Sequence, residues 1–173
     1  MSASLLALNL GILVLVLASG LGTHQLTSRR VVMPLAVTAV FAYAFLRDMP
    51  TTGHDVAFEV LGGLAGVALG VAAAALVRVR AVDGRVITTA GAGFAALWIA
   101  VVGGRIAFAY GATSVFPTAI ARFSRDHEIT SAAAWTAMFV LMGLAMIASR
   151  TLVTVARAAY VSRHQRATAP SVA

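Results

Sequence analysis

The chain alternates between long apolar stretches and short polar links. Charged residues separate five apolar segments, which cover residues 4–21, 31–46, 56–77, 86–111 and 130–148. Each is close to the roughly 20 residues that an α-helix needs to cross a hydrocarbon core. The pattern therefore predicts an all-α fold, an integral membrane bundle of five transmembrane helices that forms one domain over residues 1–160.

The two ends of this domain carry their own signals. The first segment is expected to remain as a helix, because "MSAS" lacks the basic residues of a signal peptide and "LASGLGTHQ" lacks a clear cleavage site. After the last segment, "SRTLVTVARAAYVSRHQR" keeps one face polar and is predicted to continue as an interfacial helix. Residues 161–173 are predicted to form a basic cytoplasmic tail that is partly disordered.

Composition supports a membrane location and excludes several classes of function. The 173 residues are 60% hydrophobic and 11% charged, with a mean hydropathy of +0.91, unlike a soluble domain. The chain has no cysteine, which excludes disulfides, thiol catalysis and thiolate metal sites. The net charge of +7 comes from arginines scattered between apolar segments, so nucleic acid is not an expected partner.

The distribution of arginines predicts the orientation. Nine of them follow the first, third and fifth segments: Arg29, Arg30, Arg78, Arg80, Arg85, Arg150, Arg157, Arg163 and Arg166. Three lie in the other two links: Arg47, Arg122 and Arg125. By the positive-inside rule the larger group is cytoplasmic. We therefore expect a multi-pass protein of the bacterial cytoplasmic (inner) membrane, with its N-terminus outside and its C-terminus inside.

Two opposite charges, Glu59 and Arg105, lie well within predicted helices. At 1.5 Å per residue they are about 6 Å and about 9 Å from the outer ends of those helices. The short link between the two helices predicts an antiparallel pair in direct contact. A lone charge inside the membrane costs about 2.5–3.5 kcal/mol on insertion scales, so we expect the two side chains to pair.

This pair has two interpretations. It can be a structural ion pair that sets the helix register. Alternatively, Glu59 donates a proton in catalysis and Arg105 positions Glu59 or the substrate. A glycine ladder of Gly62, Gly66 and Gly70 shares the face of Glu59 and lets another helix backbone approach closely.

Other side chains are expected around the same acid. Those predicted to line an outer-leaflet substrate cavity are Tyr43, Phe94, Trp98, Trp135 and Met138. Further candidate acids are Asp48 and Asp55. An interfacial aromatic belt is the alternative for the boundary aromatics, and packing is the alternative for the tryptophan at mid-membrane depth.

No cofactor and no metal are predicted. His54 and His127 lie beside carboxylates in the outer links, where metal binding stays open. No histidine falls within a predicted span, so a buried bis-histidine haem is not expected. Met138, Met142 and Met146 form a stripe at helical spacing, which indicates adaptable packing rather than a Cu(I) site.

The stretch "RVRAVDGRVITTAGAGFAALWIAVVGGRIAF" resembles the CcdC-like group of small bacterial membrane proteins. It has a D-G turn after a glycine-rich helix and then a helix with a tryptophan and an arginine. The likeness in layout covers about residues 26–157. It implies a link to cytochrome c biogenesis.

In size and architecture the chain is also similar to the small integral-membrane terpene cyclases of actinobacterial pathways. That likeness implies a lyase or isomerase in which a membrane acid protonates a polyene while aromatic faces shelter the cation. Glu59 would be the acid, with Asp48 and Asp55 as further candidates. Tyr43, Trp98 and Trp135 would supply the aromatic faces.

Two functions follow. The first is a membrane-embedded enzyme that cyclises a lipophilic, isoprenoid-like substrate after protonation. The second is a non-catalytic accessory or assembly protein in which Glu59 and Arg105 are structural. The expected partners are the lipid bilayer, a lipophilic small molecule, and a second copy or another membrane subunit.

Overall fold

The computed structural model describes residues 13–14, 16–18, 20–46, 55–82, 85–129 and 132–168. This part of the chain is mostly helical, which confirms the predicted class. The helices are α1 (Ser28–Leu46), α2 (Asp55–Ala75), α3 (Ala92–Ser114), α4 (Pro117–Asp126) and α5 (Ala132–Thr168). The strands are β1 (Gly22–Gln25), β2 (Val77–Val82) and β3 (Arg85–Ala90).

Three described helices are long and apolar enough to cross a membrane: Asp55–Ala75, Ala92–Ser114 and Ala133–Gln165. The protein is therefore of the membrane type. With 37 residues, α5 measures about 55 Å, whereas a hydrocarbon core is about 30 Å thick. Its C-terminal part is long enough to extend past one face of the membrane.

A small antiparallel sheet, which the sequence analysis missed, lies at the end of α2 where α3 begins. Its strand order is β1-β3-β2, and Val77 and Gly22 both pair with Ala90 from opposite sides. The alternation "VRVRAV" before "DG" and the β-branched run "RVITTA" after it are typical of a hairpin. Because these residues form strands, α2 ends at Ala75 and α3 starts at Ala92.

The glycine ladder packs α2 against α5. Gly62, Gly66 and Gly70 are buried. A Cβ atom at these three positions would collide with backbone atoms of Met138, Met142 and Met146, respectively. Each step of four residues along α2 matches a step of four along α5, so the two helices run parallel. The ladder therefore lies in a helix–helix contact, and the helix that it meets is the final one.

The predicted close contact between α2 and α3 is wrong. Helix α2 makes its extensive contacts with α5, whereas α2 and α3 make few. The β2–β3 hairpin pairs Val77 with Ala90, so the end of α2 and the start of α3 adjoin at the sheet. The two helices nevertheless make few contacts with each other.

The hydrophobic core lies at the sheet end of the molecule. Phe94 and Trp98 of α3 pack there with Ala73 and Val77, and Met146 of α5 completes the cluster. Phe94 and Trp98 therefore connect α3 to both α2 and α5.

The far part of α5 binds the end of α2 and the sheet. The Arg157 Nη1 group donates hydrogen bonds to the carbonyl oxygens of Ala74 (2.6 Å) and Val77 (2.9 Å). Gln165 Nε2 donates to the carbonyl oxygen of Ala81 at 2.9 Å. A helix leaves its last carbonyl groups without partners inside the helix, so Arg157 acts as the C-terminal cap of α2.

We expect Arg157→Met to lower the free energy of unfolding by about 1–2 kcal/mol, because two hydrogen bonds from a charged donor are lost. Arg163→Met is the control, since Arg163 is an exposed arginine on the same helix. Thermal unfolding in detergent micelles measures both. Equal midpoints for the two variants would contradict a capping role for Arg157.

Candidate functional site

Two carboxyl groups are buried at the end of α2 that lies far from the sheet. Asp55 is 0% exposed and Glu59 is 1% exposed. Being four residues apart, they share one face of the helix, and Gly62 continues that face. Asp55 lies in the first turn, where the helix dipole favours a negative charge. Asp48 lies outside the described residues.

Glu59 does not form the predicted ion pair with Arg105. Its Oε1 atom is buried and has no hydrogen-bond partner in the described part of the chain. The Arg105 guanidinium instead lies over the ring of Phe139 on α5, 5.7 Å from the centroid. The predicted pair rested on the similar depth of the two residues along their helix axes, and depth does not determine the direction of a side chain. Glu59 faces the α2–α5 contact, and Arg105 faces Phe139.

An aromatic cluster lies at the depth of Glu59. It contains Phe58, Phe108, Phe123, Trp135 and Phe139, which come from α2, α3, α4 and α5. Trp135 is central, with centroid distances of 4.7 Å to Phe58, 5.1 Å to Phe108 and 5.9 Å to Phe123. Phe108 also contacts Phe139 at 5.2 Å. These rings join α3 and α4 to the α2–α5 pair.

The register of the glycine ladder relates this cluster to the acid. Because Gly62 is level with Met138, one turn back along both helices places Glu59 level with Ala134 and Trp135. Ala134 is fully buried, and Phe58 precedes Glu59 in the chain. A buried carboxyl with an unpartnered oxygen is therefore level with a cluster of aromatic side chains, whose faces can stabilise a cation.

Helix α4 is held to the cluster by a polar contact. The Trp135 indole Nε1–H donates to Ser124 Oγ at 3.1 Å. His127 stacks on Phe123 with 4.1 Å between centroids, and its Nδ1–H donates to the carbonyl oxygen of Phe123 at 3.0 Å. Among the described residues, no three histidine, cysteine or acidic side chains are placed to hold a metal ion. His54 lies outside those residues.

The predicted lining residues divide between the two ends of the molecule. Trp135 joins the aromatic cluster, and Met138 lies against Gly62 in the α2–α5 contact. Tyr43 is 72% exposed on α1. Phe94 and Trp98 belong to the core at the sheet end. The structure therefore brings together part of the predicted lining and does not unite it in one cavity.

Sequence reasoning missed four members of the aromatic cluster: Phe58, Phe108, Phe123 and Phe139. Weak signals for two of them were present, because Phe58 adjoins Glu59 and Phe108 is three residues after Arg105, on the same helix face. The sequence analysis used Arg150 only to predict the orientation in the membrane. The structure places its guanidinium over the Phe94 ring, 4.5 Å from the centroid.

No protein-family model, curated protein or solved structure matches this chain. Its own residues therefore carry the functional conclusion.

Proposed function

We propose that the protein is a membrane-embedded enzyme that protonates and cyclises a lipophilic, isoprenoid-like substrate, with Glu59 as the acid. One observation carries this proposal: the Glu59 carboxyl is 1% exposed, its Oε1 has no hydrogen-bond partner in the described chain, and it is level with the aromatic cluster. A carboxyl held in a paired network would have its proton engaged elsewhere. This one is positioned as a general acid.

The chemistry needs no cofactor. The Glu59 carboxyl gives its proton to a carbon–carbon double bond, and a new C–H bond forms as the π bond breaks. Another double bond of the substrate attacks the resulting cation and closes a ring. The Glu59 carboxylate then takes a proton from the carbon next to the final cation, so the overall reaction is an isomerisation. Faces of Trp135 and Phe108 would stabilise the intermediate cations.

Substrate entry requires side chains near Glu59 to move, because the carboxyl is closed off from the surface. The contacts most suited to this are those between rings. Helix α3 reaches the α2–α5 pair at this level through Phe108, whereas α2 and α5 are locked by backbone contacts along the ladder.

The proposed topology has five membrane helices, N-out and C-in, in the bacterial cytoplasmic membrane. The parallel arrangement of α2 and α5 supports it, because the chain must cross back once between them and α3 is long and apolar enough to do so. Arginines at the sheet end, among them Arg78, Arg80 and Arg85, favour the cytoplasmic side for the sheet. Glu59 would then lie in the outer leaflet.

A second candidate is a non-catalytic accessory or assembly protein of the CcdC-like kind. The observation that favours it is the position of Glu59 in the same buried stripe as the glycine ladder. In that case the acid contributes to helix register, and its neutralisation affects assembly rather than chemistry.

The test is turnover by Glu59→Gln in proteoliposomes prepared in D₂O, with farnesol, geranylgeraniol and squalene as probes. A proton-initiated cyclisation places one deuterium on a substrate carbon, which mass spectrometry of the extracted products detects. We expect wild type and the exposed-acid control Asp126→Asn to form deuterated cyclic products. Glu59→Gln should lose at least about 100-fold in rate, the usual size of a general-acid contribution.

Size-exclusion profiles must show that Glu59→Gln remains folded. Deuterated product from this variant at the wild-type rate would overturn the assignment of Glu59. If wild type converts none of the three probes and Glu59→Gln mainly changes the elution of complexes with other membrane proteins, the accessory function replaces the enzymatic one.

A further inference from the structure

A cavity of about 730 Å³ opens at the sheet end of the molecule, away from Glu59. It lies between the helical residues before β1, the first half of α1, strands β1 and β3, and the middle of α5. Binding sites for small molecules are usually about 300–1,000 Å³. The cavity therefore has the size of a ligand site, and it shares no residue with the acid or the aromatic cluster.

The lining of this cavity has an apolar part and a cationic part. Val16, Val37, Trp98 and Ile147 represent the apolar part. The charged side chains of the lining are Arg29, Arg30 and Arg150, and five threonines accompany them: Thr27, Thr38, Thr88, Thr151 and Thr154. No acidic residue of the described chain contributes to the lining. The lining thus combines a surface for a hydrocarbon chain with a concentration of positive charge and hydroxyl groups.

Arg150 provides the strongest argument that this cavity binds an anion. Its side chain is half-buried in the middle of α5, and the guanidinium packs on the Phe94 ring at 4.5 Å. No hydrogen bond or ion pair joins this guanidinium to any residue in the described part of the chain. Half-buried cations are usually paired with an anion. A planar guanidinium fixed by stacking is well suited to bidentate recognition of a phosphate.

The N-terminus of α1 also favours an anion in this cavity. Arg29 and Arg30 lie in its first turn, and that turn has no acidic residue. Positive side chains at a helix N-terminus oppose the helix dipole, whereas an anion there is stabilised by the free N–H groups. A bound phosphate would therefore be attracted both by the helix end and by the positive side chains of its first turn.

Trp98, in the apolar part of the cavity lining, has a hydrogen-bond donor without an acceptor in the described chain. The residue is 6% exposed, and its indole Nε1–H has no hydrogen-bond acceptor in the described chain. A buried N–H without an acceptor is unusual in a folded protein. An oxygen atom near the head of a bound amphiphile would satisfy it.

We infer that this cavity binds an amphiphile with a phosphate or diphosphate ester as its head group and an apolar chain as its tail. Arg29, Arg30 and Arg150 bind the head group, and the chain lies along Val16, Val37 and Ile147. Two kinds of molecule share this chemistry: the phospholipids of the bilayer and single-chain lipid phosphates. The inference does not depend on the acid chemistry proposed for Glu59.

The test is a binding titration of the purified full-length protein in neutral detergent, with farnesyl phosphate as the probe. Farnesol is the matched ligand without the anion, and we expect it to bind at least about tenfold more weakly, because charge-assisted hydrogen bonds to the phosphate are absent. Native mass spectrometry gives the number of molecules bound. Competition with phosphatidylglycerol distinguishes a phospholipid site, where it displaces the probe, from a site for single-chain phosphates, where it does not.

Three variants make the test specific. Arg150→Met keeps an apolar stem over Phe94 and should weaken farnesyl phosphate binding at least about tenfold. Arg29→Gln changes an exposed side chain away from the core and should weaken it several-fold, whereas Arg163→Met, outside the cavity, should leave it unchanged. Equal affinities for farnesol and farnesyl phosphate would overturn the inference. Wild-type affinity in both Arg150→Met and Arg29→Gln would do so as well.

Discussion

Gly66→Leu is expected to separate α2 from α5 and to lower the free energy of unfolding by about 3 kcal/mol, the upper part of the range for overpacking. A Cβ atom at Gly66 would collide with the carbonyl group of Met142 and approach its Cα. These are backbone atoms of a helix, so they cannot rotate away as a side chain does. The whole helix must shift, which also disturbs the contacts of Gly62 and Gly70.

Gly63→Leu is the matched control for this prediction. Gly63 precedes Gly66 by about one turn of the same helix. A Cβ atom at Gly63 would meet nothing within 4 Å. Both variants replace glycine by a better helix former, so the difference between them isolates the contact between the helices. Unfolding curves in mixed micelles give that difference. If both variants unfold at the same denaturant concentration, the ladder does not hold α2 to α5.

Phe94→Ala should be the other large change, at about 3 kcal/mol. The side chain is fully buried, the Arg150 guanidinium stacks on it, and Trp98 lies 6.2 Å away between centroids. Removing a buried ring usually costs about 3–5 kcal/mol through lost transfer energy and the cavity left behind. Transfer from lipid contributes little to helix association inside a bilayer. We therefore expect the lower end of the range, from lost contacts and the cavity.

Phe41→Ala controls for the loss of an apolar ring as such, because Phe41 on α1 is 61% exposed. We expect this variant to change the free energy of unfolding by less than about 0.5 kcal/mol, as is usual for surface positions. Tryptophan fluorescence during chemical unfolding follows both variants. The core assignment fails if Phe41→Ala is as destabilised as Phe94→Ala.

The candidate site shows where sequence reasoning succeeded and where it stopped. That Glu59 and Trp135 are level with each other followed from counting residues along helices, because the rise per residue is constant. The partner of Glu59 did not follow, because depth says nothing about the direction in which a side chain points around its helix. Arg105 has a similar depth in the sequence prediction, yet its guanidinium packs on Phe139.

The sheet was missed for a related reason. The sequence of residues 77–90 contains the alternation and the D-G pair of a hairpin. They adjoin long apolar helices, and their valines and isoleucine extend the hydrophobic runs on both sides. The pairing with Gly22–Gln25 is a contact between residues more than 60 positions apart, which no local pattern encodes.

By itself the sequence determined the membrane class, the long apolar helices and the spacing of the glycine ladder. These properties depend on composition and on the period of a single helix, and both are local. The tertiary structure decided that the ladder meets α5, that aromatic side chains from α2, α3 and α4 meet at Trp135, and that Arg150 faces a cavity with Arg29 and Arg30. Such contacts depend on how each helix is rotated and which helices lie side by side, and packing across the whole chain sets both.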